Sequence, residues 1–165
     1  MNILVPVNGS KASLAAVRHA AQAVKGSGGE IILVNVQPLL TAHAARFTSR
    51  SARDALRAER SAQAFADACV LLDAAGVRYR KLAATGRIAA TITALADRLR
   101  VDQIVLGATR RPGWRQALLS PVPRILDLAN VPVSVIGEGR SGAFERFGLP
   151  AGVGLGLTAL IMAAD

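Results

Sequence analysis

Apolar and polar positions alternate along the chain in two rhythms. Residues 2 to 7 (NILVPV) form a short apolar run closed by Asn8, Gly9 and Ser10, and the next stretch places Leu14, Val17, Ala21 and Val24 at three- and four-residue spacing. That order predicts a strand, a turn and a helix. Glycines at 26, 28 and 29 close the helix, after which residues 31 to 36 (IILVNV) are continuously apolar and β-branched, as a strand covered on both faces is. A loop is expected over 37 to 47, followed by a long helix to about Gly76 with Ala55, Ala62, Phe65, Ala66, Cys69 and Leu72 as its core stripe. Val77 to Ala83 reads as a third strand. Ile88, Ile92, Leu95 and Leu99 mark a helix face, and Gln103 to Leu106 a fourth strand. Beyond a loop over 107 to 116, Val122, Ile125, Leu126 and Ala129 mark a fourth helix, and Pro132 opens a fifth strand ending at Ile136.

Strands alternating with helices in this way, joined by right-handed crossovers, predict an α/β fold with an open, doubly wound parallel sheet. The length of 165 residues suits one domain. At 52% hydrophobic and 19% charged residues the chain is too apolar for a disordered one. Residues 1 to 138 are expected to form the domain, and 139 to 165 a Gly-rich apolar tail. Leu149 to Ala164 carries no charge, yet its sixteen residues fall short of the roughly 20 a membrane span needs. The single cysteine, Cys69, allows no internal disulfide, and no basic-then-apolar leader opens the chain, so a reducing, cytoplasmic setting is expected. Charge is lopsided: 20 Lys and Arg, 17 of them arginine, stand against 11 Asp and Glu. Such an excess favours polyanionic partners without choosing among them.

In an open parallel sheet, ligands sit at the carboxyl ends of the strands where the strand order reverses. The loops there hold Asn8-Gly9-Ser10, Val36-Gln37-Pro38 and residues 107 to 114. Ser120 and Pro121 predict a helix N-terminus, as N-cap and first helical residue. Phosphate sites at such ends use backbone N–H groups, and Pro121 and Pro123 each lack one. Arg110, Arg111, Arg115 and Arg124 supply positive charge nearby that could offset the loss.

The opening ILVPVNGSKASLAAVRHA, the strand IILVNV, the segment Gly86-Arg87-Ile88-Ala89 and the run from Gln103 to Ile136 together resemble the universal stress protein family across about residues 1 to 138. The resemblance implies a Rossmann-like, five-stranded parallel sheet of order 3-2-1-4-5 with helices on both faces. It also implies a nucleotide site in which an Asp after strand one and a Val ending strand two flank the nucleoside. A Gly-x-x-Gly-(nine residues)-Gly-Ser/Thr signature there holds ATP phosphates. Val7, Asn8, Val36, Gly107, Arg110 and Ser120 are the candidate positions that follow. Asn8 replaces the Asp, Arg110 the second glycine, and the glycine before Ser120 is missing. These departures weaken adenosine recognition and phosphate capture, leaving ATP or AMP as the candidate ligand.

Other chemistry is sparse. His19 and His43 have no clustered carboxylates beside them, so neither a metal site nor acid–base catalysis is expected. Ser10 and Ser13 read as helix caps, Cys69 as an inert thiol in the helix stripe, and Trp114 as a cover for the sheet edge. Arg46, Arg50, Arg53, Arg57 and Arg60, spaced four, three, four and three, form one helical stripe expected opposite the Phe65/Cys69/Leu72 face. The fifth strand, Pro132 to Ile136, is expected at a bare sheet edge, where the resemblance implies a homodimer, with the tail enlarging the interface. The expected function is a dimeric, non-catalytic, cytoplasmic stress-response module with weak or no ATP binding. The alternatives are an ATP-binding member with slow hydrolysis, and a binder of nucleic acid or an acidic membrane surface through the arginine stripe.

Overall fold

The computed structural model describes residues 1–39, 49–109 and 120–137, together with the backbone of residues 144–146. Five strands, β1 (Asn2–Pro6), β2 (Glu30–Gln37), β3 (Tyr79–Thr85), β4 (Gln103–Ala108) and β5 (Val133–Gly137), run parallel in the order 3-2-1-4-5. Helices α1 (Lys11–Val24), α2 (Arg50–Ala75), α3 (Ile88–Arg98) and α4 (Val122–Leu128) alternate with them. A sixth strand, β6 (Phe144–Arg146), adds antiparallel to β5.

The period of two in each strand divides the core into two layers. Ile3, Val5, Ile31, Leu33 and Val105 face α1 and α2, where they meet Val17, Phe65 and Leu72. Leu4, Ile32, Val34, Ile104 and Leu106 face α3 and α4, where they meet Ile92, Leu95 and Ile125. The Asn2 and Asp102 backbones close the bottom of the β1–β4 pair, with the Asp102 carboxylate accepting from the Asn2 N–H at 2.6 Å.

Three expectations are corrected. The third strand begins two residues later than its sequence suggests, because the Val77 N–H bonds back to the Leu72 carbonyl and belongs to the helix end. In α2 the buried residues are Ser61, Ala64, Phe65, Ala68 and Leu72, whereas Ala55, Ala62 and Ala66 are exposed. The arginine stripe consequently lies beside that packed face, not opposite it: at about 100° per residue, Ser61, Ala64 and Ala68 fall within about 40° of Arg57. Arg53 and Arg57 are half-buried, and Arg57 pairs with Asp54 at 3.4 Å; Arg46 lies outside the described residues. Finally, β5 is not a bare edge, since β6 of the same chain occupies it. Residues 149 to 164 lie outside the described residues.

Candidate functional site

Strand order reverses between β1 and β4, and there the carboxyl ends of the strands part around a cleft of about 700 Å³. Its floor is apolar, built from Val34, Leu106, Ile92 and Ile125 of the α3/α4 layer. Its rim carries the polar groups: Asn8, Ser10 and Ser13 on one side, Thr109 and Ser120 on the other. Among the described residues, no ionisable side chain lines it.

The β1–α1 rim is shaped by local hydrogen bonding. Gly9 adopts φ +76°, a left-handed turn that glycine takes without strain. The Asn8 side-chain oxygen accepts from the Ser10 N–H at 3.1 Å, an Asx turn, so asparagine serves this geometry as an aspartate would, without its charge. The Ser10 hydroxyl accepts from the Ser13 N–H at 3.1 Å and caps α1, the role expected for it, while the Ser13 hydroxyl donates to the Ser10 carbonyl at 2.8 Å. Behind this rim a polar bridge crosses the other layer. Asn35, buried near the end of β2 after four apolar residues, donates to the Val7 carbonyl at 2.8 Å and accepts from the Ser61 hydroxyl at 3.0 Å. Gln37 donates to Ser61 and to the Arg57 carbonyl, each at 2.8 Å. The bridge fixes α2 to the ends of β1 and β2, and with them the backbone that carries Val7 and Asn8. A lone asparagine inside IILVNV was its only signal in the sequence.

Across the cleft, α4 starts one residue later than expected: Pro121 is its N-cap, and the Ser120 hydroxyl accepts from the Val122 N–H at 3.3 Å. Pro123 follows, so the first turn of this seven-residue helix offers little backbone hydrogen-bonding capacity to an anion. Gly107 has a packing reason for being glycine, because a Cβ there would collide with the Ala12 carbonyl of α1. Thus Val7, Asn8, Val36, Gly107 and Ser120 come together on one cleft, while Arg110 lies outside the described residues, as do Arg111, Trp114 and Arg115. Arg124 is exposed and is not part of the lining.

Elsewhere there is little reactive chemistry. Among the described residues no three His, Cys, Asp or Glu side chains gather as metal ligands, and no helix is long and apolar enough to cross a membrane. Cys69 is half-buried. The Tyr79 phenol is raised well above its ordinary range by side-chain hydrogen bonding with Cys69 and then Asp73, whose carboxylate accepts from it at 3.0 Å. It stands at the start of β3, the end of the sheet away from the cleft.

Residues 1–137 match the family model described as the universal stress protein family. The fold is shared with solved structures of low identity. A universal stress protein family protein from Burkholderia pseudomallei is 21% identical with a TM-score of 0.64, over 82% of this chain and 94% of that one. A universal stress protein in complex with cAMP is 21% identical with a TM-score of 0.64, over 84% and 98%. A universal stress protein family protein from Arabidopsis thaliana with AMP bound is 19% identical with a TM-score of 0.60, over 84% and 92%. Among curated proteins no relative matches significantly.

Proposed function

The chain belongs to the universal stress protein family, and from that premise we propose that it is a cytoplasmic, non-catalytic regulatory module whose cleft takes the nucleoside part of an adenine nucleotide. One observation carries the reading: the cleft at the strand ends is of ligand size, apolar on its floor and rimmed by uncharged donors and acceptors. Such a lining suits a base and a ribose. Structures of the same fold that hold AMP and cAMP support an adenine ligand. Val7, Asn8, Val36, Gly107 and Ser120 are the residues proposed to meet it, together with Arg110, which lies outside the described residues. The prolines at the start of α4 favour AMP or cAMP over ATP, since Pro121 and Pro123 offer no N–H to a phosphate chain and Ser120 already engages that of Val122. No nucleophile with a paired base stands in the described lining, which supports a sensing role over hydrolysis.

Calorimetric titration with adenosine, AMP, cAMP and ATP tests the proposal. ATP is expected to bind no tighter than AMP. Pro121→Val combined with Pro123→Ala restores two amides and should improve ATP over AMP by on the order of tenfold, the scale of one hydrogen bond to a charged group. Micromolar ATP binding by the native chain, about 8 kcal/mol, defeats the preference for the shorter nucleotides. No binding of any adenine compound defeats the ligand assignment.

Association of two copies through Pro132 to Ile136, which the resemblance implies, belongs to the same proposal. The nucleic-acid or membrane-surface reading has less support than the sequence suggests: of the described stripe, Arg50 and Arg60 are exposed, Arg53 and Arg57 are half-buried, and Arg57 already has an acidic partner.

A further inference from the structure

The polar rim of the cleft is biased toward hydrogen-bond donors. Asn8, Ser10 and Ser120 each carry an oxygen and at least one proton, and in each the oxygen is already engaged by a backbone amide. The Asn8 Oδ1 accepts from the Ser10 N–H, the Ser10 Oγ from the Ser13 N–H and the Ser120 Oγ from the Val122 N–H, at 3.1, 3.1 and 3.3 Å. Their side-chain protons have no acceptor among the described residues. Ser13 differs, because its proton goes to the Ser10 carbonyl and the residue is buried. Asn8 is the sharpest case. A backbone N–H can be met only by the amide oxygen, so the turn fixes the orientation of the carboxamide and leaves Nδ2, a pure donor, as the second polar atom of an exposed residue on the cleft. An aspartate in the same turn would present a second, charged acceptor there.

We propose that Asn8 is a specificity-determining residue that turns the cleft toward a nucleoside whose sugar edge carries a phosphodiester, a nucleoside 2′,3′-cyclic phosphate, and away from the free ribose diol. The inference rests on the nucleoside reading proposed above: with the base on the apolar floor, the sugar falls to the rim, where Asn8 stands. A diol brings two O–H donors, which a carboxylate accepts and Nδ2 does not. Toward Nδ2 the diol acts only as a neutral acceptor. The cyclic diester replaces both protons with phosphate oxygens, and a hydrogen bond to a charged oxygen is roughly twice as strong as one between neutral groups. Charge then decides among anions. No ionisable side chain stands in the described lining, so a phosphate there is held by hydrogen bonds alone. A singly charged diester costs such a site less desolvation than a monoester, which carries about 1.5 to 2 negative charges near neutrality.

Calorimetric titration of the native chain and of Asn8→Asp with adenosine, 2′-deoxyadenosine and adenosine 2′,3′-cyclic phosphate tests this. The aspartate accepts from the same Ser10 N–H, so the turn and the thermal midpoint should be kept while the free donor becomes an anionic acceptor. The native chain should bind the cyclic phosphate more tightly than adenosine by on the order of tenfold, the scale of one hydrogen bond to a charged group. Asn8→Asp should reverse that order, strengthening adenosine and weakening the cyclic phosphate by on the order of tenfold each. A preference for adenosine over 2′-deoxyadenosine should open in the aspartate variant and be slight in the native chain. Native affinity for adenosine equal to that for the cyclic phosphate overturns the proposal, and so does a cyclic-phosphate preference that survives Asn8→Asp unchanged, because another group would then hold the phosphate. Both results leave the nucleoside reading standing. Failure of all three compounds to bind either protein removes that reading itself, and this proposal with it.

Discussion

The two faces of the sheet are covered by different means. On the α1/α2 side the strands meet two long helices, and Ile3, Val17, Ile31, Leu33, Ala68 and Leu72 are all excluded from solvent. That layer is sealed at its upper end by the bridge of Asn35, Gln37 and Ser61. On the α3/α4 side the helices are shorter, eleven and seven residues, and the layer opens into the cleft above Val34, Leu106 and Ile125. The same alternation of apolar residues along each strand feeds both layers. Helix length and the placement of prolines decide which one is left open. Stability should therefore reside mainly in the closed layer and ligand selectivity in the open one, with β1 belonging to both.

That division can be broken most directly at Leu72, fully buried beneath α2. Leu72→Ala should cost about 2–5 kcal/mol in chemical denaturation, the range for deleting a buried leucine side chain. Adenosine affinity, measured where the variant remains folded, should be unchanged; a matching loss of affinity would show that the layers are not separable. Asn35 gives a sharper test because, from the closed layer, it holds Val7 of the cleft lining. Asn35→Leu leaves the Val7 carbonyl without its side-chain donor and Ser61 without its acceptor, for about 1–3 kcal/mol of stability. Unlike Leu72→Ala, it should also weaken adenosine binding, since Val7 and Asn8 on the cleft rim lose their anchor. Stability lost with affinity intact would confine the bridge to a packing role.

The parts of the fold legible in the sequence are those whose physics is local. Strands covered on both faces give unbroken runs such as IILVNV, and Asn8-Gly9-Ser10 announces a turn and a helix cap in consecutive residues. Topology pointed to the loops holding Asn8, Val36 and Gly107, since a sheet of this order opens where β1 and β4 part; the choice of Val7, Asn8, Val36, Gly107 and Ser120 as site positions followed from the resemblance to the universal stress protein family, and all five line the cleft. Alanine blurred the face of α2. With alanines at 52, 55, 58, 62, 64, 66 and 68, a small apolar residue falls on nearly every side of the helix, and the arginines were set opposite a stripe whose true members include Ser61 and Ala64. The strand β6 was invisible because three residues, two of them charged, make no period-two pattern. Its place is fixed by β5, which the local sequence around Glu145 does not report.

The smallest expected effect concerns pH, and a null result is informative there. The described lining of the cleft contains no Asp, Glu, His, Cys, Lys, Arg or Tyr. Adenosine is uncharged near neutrality, so neither it nor the described wall changes charge between about pH 6 and pH 9, a window that spans the ordinary histidine range near 6.5. Binding measured across that window should be flat. Asn8 is the reason the test discriminates: its carboxamide holds the Asx turn without a proton to exchange, and the prediction rests on hydrogen bonds that do not titrate. Of the two histidines, His19 lies on α1 away from the lining, and His43 belongs to the segment that follows β2. If affinity falls on acidification with a midpoint near 6.5, His43→Gln identifies the source. Loss of the pH dependence in that variant would place the segment after β2 at the ligand, and the open layer would then extend beyond the cleft formed by β1, β4, α3 and α4.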